Sequence, residues 1–212
     1  MERKKILILG ATGATGQQVV TQALEAGHEV TAFVRNPGGM PVRHGRLRLV
    51  AGDVTDETSG LADAVRGQDA VISALGRGMS FKSTGLIQRS VPPILAAMKS
   101  QRVRRLVFTS AIGVGSATDR LPLISRMMIR FPLRNIYADK AAGEALIRRS
   151  DLDWTLVQPA QLTSGPLTRK YRAGEHMELR GIPTISRADT AHFILRQLDD
   201  TSYIRKVVLI AY

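Results

Sequence analysis

The sequence predicts an α/β protein built on a doubly wound parallel β-sheet with helices on both faces. Three observations predict it. Short apolar runs of strand character alternate with helical segments along the whole chain. The first of these runs, Lys5-Ile6-Leu7-Ile8-Leu9, is continuously apolar, as a strand buried on both faces requires. It ends in a glycine-rich turn that leads directly into a helical period.

The elements follow in order. From Ala14 to Ala26 the apolar positions Val19, Val20, Ala23 and Leu24 share one side, and Gly27 stops the helix. Glu29 to Val34 reads as the second strand, Leu47 to Val50 as the third and Asp69 to Leu75 as the fourth, with Leu61 to Val65 as a short helix before the last of these. A longer helix is expected from about Thr84 to Lys99, where Pro92-Pro93 should either bend it or mark its start. Arg105 to Thr109 is a fifth strand, Ala138 to Arg149 a helix and Trp154 to Val157 a sixth strand. Ala191, Ile194, Leu195 and Leu198 place a helix in the tail, before a final strand from Val207 to Ile210. With no internal repeat and no low-complexity linker, residues 1–212 are expected to form a single domain.

Composition narrows the function classes. The chain has 212 residues, is 44% hydrophobic and contains no cysteine, so disulfide frameworks, thiolate metal sites and cysteine nucleophiles are excluded. Its apolar runs fall short of the roughly 18–20 residues that span a bilayer, and no secretory leader is read at the N-terminus, so a cytoplasmic protein is expected. The unusual quantity is charge: 30 Lys and Arg against 18 Asp and Glu give a formal +12. Such an excess suits a nucleic acid, an anionic small molecule or a merely charged surface. No helix-turn-helix, RNA-recognition or zinc-finger pattern accompanies it, so nucleic acid is not expected as a partner.

Chemistry concentrates in Gly10-Ala11-Thr12-Gly13-Ala14-Thr15-Gly16, between the first strand and the first helix. Gly10 allows the tight turn, Gly13 lets backbone N–H groups approach a pyrophosphate, and Gly16 lets helix and strand pack closely, with the helix N-terminus facing the anion. In this context the pattern is a Rossmann-like dinucleotide site. Arg35 stands at the end of the second strand, where an acidic residue would bind a ribose 2′-hydroxyl and an arginine instead accommodates a 2′-phosphate. No carboxylate lies between Arg35 and Asp53, whereas Arg43, Arg46 and Arg48 do, so NADP(H) is the expected cofactor. Ligands lie at the carboxyl ends of parallel strands. That rule places Asp53 and Val54 beside the adenine, and Leu75, Gly76 and Arg77 beside its ribose and the pyrophosphate. It places Ser110 at the nicotinamide, and Pro159 and Gln161, with Gln158, on the same rim.

The glycine loop, Val34-Arg35, Gly52-Asp53-Val54 and Thr109-Ser110-Ala111 resemble the atypical short-chain dehydrogenase/reductases of the NmrA-like group. Within that group the chain is similar to the NADPH-dependent flavin reductases, also called biliverdin-IXβ reductases. Gly67 to Ile72, Ala96 to Lys99, Gly165 to Thr168 and Ile185 to Arg187, continuing through His192 to Arg196, carry that similarity. The resemblance implies a small C-terminal substrate-covering part, drawn mainly from about 111–135 and 160–185. It also implies that Ser110 contacts nicotinamide and substrate, and that Gln161 stands where the flavin reductases have a substrate-side histidine. The broader family's Tyr-x-x-x-Lys is broken, because Ile136 stands where the tyrosine belongs and Tyr137 is one residue out of register. Lys140, with Glu144 four residues on, either contacts the nicotinamide ribose or is a solvated surface lysine.

Together these residues point to an NADPH-dependent oxidoreductase that transfers hydride to a flat conjugated acceptor (flavin, quinone or tetrapyrrole-like), without a strong protein acid. Ser110, Gln161 and Lys140 are the catalytic candidates. The alternative is a non-catalytic NADP(H)-binding redox sensor of the NmrA type. No metal site is expected, since His28, His44, His176 and His192 lack ligand spacing. Ser110 has no nucleophile elbow around it, which removes hydrolase chemistry. Residues 123–134, with Arg126, Arg130 and Arg134 at helical spacing, read either as a basic lid or as a solvated face. Monomer and dimer both remain open.

Overall fold

A computed structural model describes residues 2–76, 85–114, 134–179 and 181–212. Arg77, Arg126 and Arg130 lie outside the described residues, as does nearly all of the 123–134 segment.

The strands are β1 (Lys5–Leu9), β2 (Glu29–Val34), β3 (Leu47–Ala51), β4 (Ala70–Ser73), β5 (Arg105–Thr109), β6 (Asp153–Pro159), β7 (Gln161–Thr163), β8 (Arg172–Gly174), β9 (Thr184–Ser186) and β10 (Lys206–Ala211). The helices are α1 (Ala14–Glu25), α2 (Leu61–Val65), α3 (Leu86–Ser100), α4 (Arg134–Arg149) and α5 (Arg187–Arg196). Eight strands form one sheet in the order β3-β2-β1-β4-β5-β6-β10-β8. All its neighbours run parallel except β8, which runs antiparallel to β10 at the edge. The strand order reverses at β1 and β4, the crevice where ligands of open α/β sheets bind. No helix among the described residues is long and apolar enough to cross a membrane.

The continuous apolar runs are explained by two separate cores. On one face α1 and α5 cover Ile6, Ile8, Ile72, Val107 and Val157. On the other, α2, α3 and α4 cover Leu7, Leu9, Val71, Leu106, Phe108 and Leu156. Alternate residues of each strand therefore enter different cores, and neither face tolerates a polar period.

The structure decides between alternatives that the sequence left open and departs from it elsewhere. Pro92 and Pro93 lie inside α3 and do not mark its start. Each leaves a carbonyl without its helical partner, and those carbonyls belong to Gln88 and Arg89 on the exposed side of the helix, where water can serve them. The N-terminus of α3 is instead fixed from a distance. Gly85 has no side chain to cap it, and the Asp139 carboxylate of α4 accepts from Ile87 N at 3.1 Å and Gln88 N at 2.8 Å. The described part of α4 runs from Arg134, ahead of the expected Ala138. Finally, β7, β8 and β9 have three residues each and no readable period. β7 and β9 form a separate parallel pair, Gln161 to Ser186 in extent, whose register sets Gln161 against Thr184.

Candidate functional site

Because β1 to β6 run parallel, the residues following each strand gather on one edge of the sheet. Gly10 follows β1, Arg35 follows β2, Gly52 and Asp53 follow β3, Leu75 and Gly76 follow β4, and Ser110 follows β5. Leu9 is in register with Phe33 on one side and Ser73 on the other, so the glycine turn sits between Arg35 and Leu75.

The three glycines of the turn differ in what makes them glycine. Gly10 has φ +77°, and a Cβ there would lie 2.7 Å from the Ala74 carbonyl oxygen. A Cβ on Gly16 would lie 2.1 Å from the Gly10 carbonyl oxygen. Both contacts are imposed by the protein's own backbone. Gly13 is different: its nearest neighbour would be the Gly10 oxygen at an ordinary 3.4 Å, and its φ of −74° suits any residue. The missing Cβ of Gly13 therefore leaves space on the open side of the loop, where Thr12, Gly13 and Ala14 are exposed. The first turn of α1 has no side-chain cap and no acidic residue, so its N–H groups and the positive end of its dipole face that space. These features fit a dinucleotide pyrophosphate.

At the ends of β2 and β3, Arg35 is exposed beside Asp53. Asp53 Oδ1 accepts from Thr55 N at 2.9 Å and Thr55 Oγ1 at 2.8 Å. These hydrogen bonds, with the Arg35 and Arg89 charges behind them, hold the carboxyl below its ordinary value, so it is an ionised acceptor at neutral pH. Arg89, from α3, reaches Thr55 Oγ1 at 3.5 Å and is a second cation at this end that sequence reading overlooked. Val54 is buried against the α2/α3 core and sets the turn. Arg46 moves the other way. Its guanidinium donates to Leu24 O at 2.8 Å, at the C-terminus of α1 and the opposite edge of the sheet, so it is no neighbour of a 2′-phosphate. Arg43 is engaged by Met40 O and Val42 O of its own loop.

At the other end, Ser110 is 5% exposed, its N–H bonds Val157 O at 2.7 Å, and its hydroxyl oxygen is buried with no hydrogen-bond partner. An unpartnered buried hydroxyl costs about 1–3 kcal/mol unless something else satisfies it. Lys140 lies one turn before Glu144 on the face of α4 that carries Ile147 into the core. It is half-buried, and burial lowers its pKa against the opposing pull of Glu144 and Asp139, so it is no freely solvated lysine. Tyr137 is half-buried, and burial raises its hydroxyl pKa.

Both Gln158 and Gln161 are expected on the rim, and only Gln161 lies there. Gln158 is fully buried beneath the rim, where Nε2 donates to Glu144 Oε1 at 2.9 Å and to Val114 O at 3.2 Å. Gln161 is exposed at the start of β7, just past Pro159, and its N–H bonds Pro183 O at 3.1 Å. His192 is engaged with Tyr171, Nδ1 to the hydroxyl at 2.7 Å.

A group that sequence reading missed is Asp189, which is fully buried. Its carboxylate accepts from Thr168 N at 2.9 Å, Arg169 N at 2.7 Å, Thr168 Oγ1 at 2.7 Å and the Tyr212 hydroxyl at 2.7 Å. It thus pins the 160–185 segment to α5 and β10, and holds Arg169 at φ +59°. The available signal was Ser186-Arg-Ala-Asp189, a capping-box spacing: Ser186 Oγ accepts from Asp189 N at 2.9 Å.

The chain is similar to known proteins in family and fold. A family described as NAD(P)H-binding matches residues 10–201. The uncharacterized protein YwnB of Bacillus subtilis is 28% identical over 205 residues, covering 92% of either chain. Against another curated relative, an uncharacterized chloroplastic protein of Arabidopsis thaliana, the chain spans only 62% of the length. Among solved structures, a short-chain dehydrogenase/reductase of Veillonella parvula in complex with NADP superposes with TM-score 0.81 at 20% identity, covering 100% of this chain and 95% of that one. ChuY, an anaerobillin reductase of Escherichia coli O157:H7, superposes with TM-score 0.80 at 20% identity, covering 97% and 96%. These structures share the fold.

Proposed function

The chain belongs to the NAD(P)H-binding family, and from that premise we propose that it is an NADPH-dependent reductase of a flat conjugated acceptor, of the flavin, quinone or tetrapyrrole-like class. The observation that carries the reading is the buried, unpartnered Ser110 hydroxyl on the same sheet edge as the glycine loop. A reductase that shares the fold acts on a tetrapyrrole-type substrate by its name, which agrees with the acceptor class.

NADPH, when bound, supplies the hydride. The N–H groups of Ala14, Thr15 and Gly16 hold the pyrophosphate, Arg35 pairs the 2′-phosphate and Asp53 accepts from the adenine amino group. Leu75, Gly76 and Pro159 line the groove, and Lys140 donates to the nicotinamide ribose. The Ser110 hydroxyl orients nicotinamide and acceptor, and Gln161, on the 160–185 segment that covers the acceptor, donates a hydrogen bond to it from the outer side. Neither group is an acid at neutral pH. Water therefore supplies the proton, which suits acceptors whose reduced ring tolerates charge and disfavours simple carbonyls.

The test follows NADPH absorbance with FMN, riboflavin and a quinone panel. Oxidation well above the enzyme-free rate is expected, and Ser110→Ala should lower kcat roughly tenfold or more while leaving NADPH affinity within about threefold. Tight NADPH binding with no oxidation of any acceptor would instead establish the sensor role.

A further inference from the structure

Arg89 is a cation that the proposed chemistry does not use. It lies near the start of α3, exposed, and its own N–H donates to Gly85 O at 2.9 Å. That end of the helix is fixed, because the Asp139 carboxylate accepts from Ile87 N and Gln88 N. The Arg89 side chain therefore leaves from a firm base. It crosses to the turn after β3, where a guanidinium N–H meets Thr55 Oγ1 at 3.5 Å. Thr55 is also the residue that holds Asp53, since its N–H and its hydroxyl both donate to Asp53 Oδ1. Arg89, Thr55 and Asp53 thus form one chain of contacts from α3 to that turn.

Arg35 and Arg89 both act on Asp53 through their charge, but they are placed differently. Arg35 stands exposed at the end of β2. Arg89 is tied to the β3 turn by one edge of its guanidinium. A guanidinium is planar, so with an edge on Thr55 its face stays open. Asp53 Oδ1 is taken by Thr55, and among the described residues nothing donates to Oδ2. That oxygen is left for an amino group, and a flat base that donates to it lies alongside the Arg89 face.

We propose that Arg89 stacks its guanidinium on the adenine ring and sets affinity for the base, whereas Arg35 sets the choice between NADPH and NADH; this rests on Asp53 being the acceptor of the adenine amino group, as read above. A planar cation over an aromatic face suits Arg and not Lys, whose ammonium is a point charge. The contact is far from the reacting atoms, so it acts on binding alone.

The full chain is titrated with NADPH and with NADH, followed by nicotinamide fluorescence. Arg89→Met keeps the aliphatic stem and removes the flat cation, and it should weaken both cofactors by the same factor, about threefold to tenfold. ADP carries the adenine and a pyrophosphate but neither the 2′-phosphate nor the nicotinamide. As a competitor of NADPH it should lose that same factor. Arg89→Lys should stay within about twofold of Arg89→Met, because the charge returns without the face. A loss confined to NADPH would make Arg89 a second phosphate contact and overturn the proposal. Unaltered affinity for all three ligands, or full recovery in Arg89→Lys, would overturn it as well. A wild-type chain that binds neither NADPH nor NADH would remove the dinucleotide site itself, and the proposal with it, a result distinct from the others. Every readout is an equilibrium affinity, so none depends on finding the acceptor.

Discussion

The two ends of the main sheet hold their groups in place by different means. Around β1, β2 and β4 the positioning is done by backbone: Gly10 and Gly16 are glycines because carbonyl groups stand where a Cβ would go. Around β6, β10 and α5 it is done by buried side chains, with Asp189 gathering four donors from the 168–169 turn and Tyr212, and Gln158 joining Glu144 to Val114. A backbone-built site depends on sterics and is insensitive to pH. A site built by a buried carboxylate depends on its ionisation.

The largest expected losses test that contrast from both sides. Gly16→Ala should cost about 3 kcal/mol or more, since its Cβ would sit 2.1 Å from a backbone oxygen that cannot move aside. Asp189→Ala should cost about 3–5 kcal/mol, because it leaves several buried donors without an acceptor. Urea unfolding measures both. They diverge with pH. Burial by itself would raise the Asp189 carboxyl, but the hydrogen bonds from Tyr212, Thr168 and Arg169 outweigh it and hold the carboxyl below its ordinary value. A depressed carboxyl contributes stability that is present above the unfolded value near pH 4 and is lost as pH falls through the folded one. Thermal melts below about pH 4 should therefore lose part of the wild-type stability, and Asp189→Asn should flatten that loss while Gly16→Ala retains it in full. Parallel acid profiles for all three proteins would break the comparison.

The next effect separates the glycines from one another. Gly13→Ala meets only an ordinary contact and a permissive φ, so its stability should stay within about 1 kcal/mol of wild type. Its methyl group, however, occupies the space of the pyrophosphate, and NADPH affinity should fall about tenfold or more. A destabilised Gly13→Ala with normal NADPH affinity would make that glycine structural. Arg35→Ala is expected to weaken NADPH by about 10–100-fold with NADH within about threefold, as loss of one charge-assisted phosphate contact requires. Equal losses for both cofactors would remove the 2′-phosphate assignment.

The same contrast explains what could be read from the sequence. Strands β1 to β6, the glycine turn and Arg35 are written locally: apolar runs, a spacing of three glycines and a strand end are visible within a few residues. Gln158 carries no such mark, because its partners lie 14 and 44 positions away, and Asp189 shows only its capping spacing to Ser186, its other partners lying 20, 21 and 23 positions away in the chain. Three-residue strands such as β7 to β9 are too short to show a period, so the segment that carries Gln161 was legible only through resemblance. Gln161 and Gln158 stand three residues apart: the first is exposed and the second buried, which a polar residue on a strand end does not reveal by its type.

The smallest expected effect concerns Arg46, which composition alone groups with the cations of the 2′-phosphate. Its guanidinium donates to Leu24 O near the C-terminus of α1, a carbonyl that also accepts from Gly27 N at 3.1 Å. A cation there also meets the negative end of the helix dipole. Arg46→Ala should therefore lower stability by about 0.5–1 kcal/mol, a loss that shrinks with added salt, because water can replace the hydrogen bond at this partly exposed site. NADPH affinity should stay within about twofold of wild type, since the residue serves the edge of the sheet opposite the glycine loop. Chemical denaturation at low and high salt reads the first quantity, and a cofactor titration of the same protein reads the second. A fall in NADPH affinity comparable to that of Arg35→Ala would mean that the excess positive charge acts on the cofactor as a field and not through Arg35 alone.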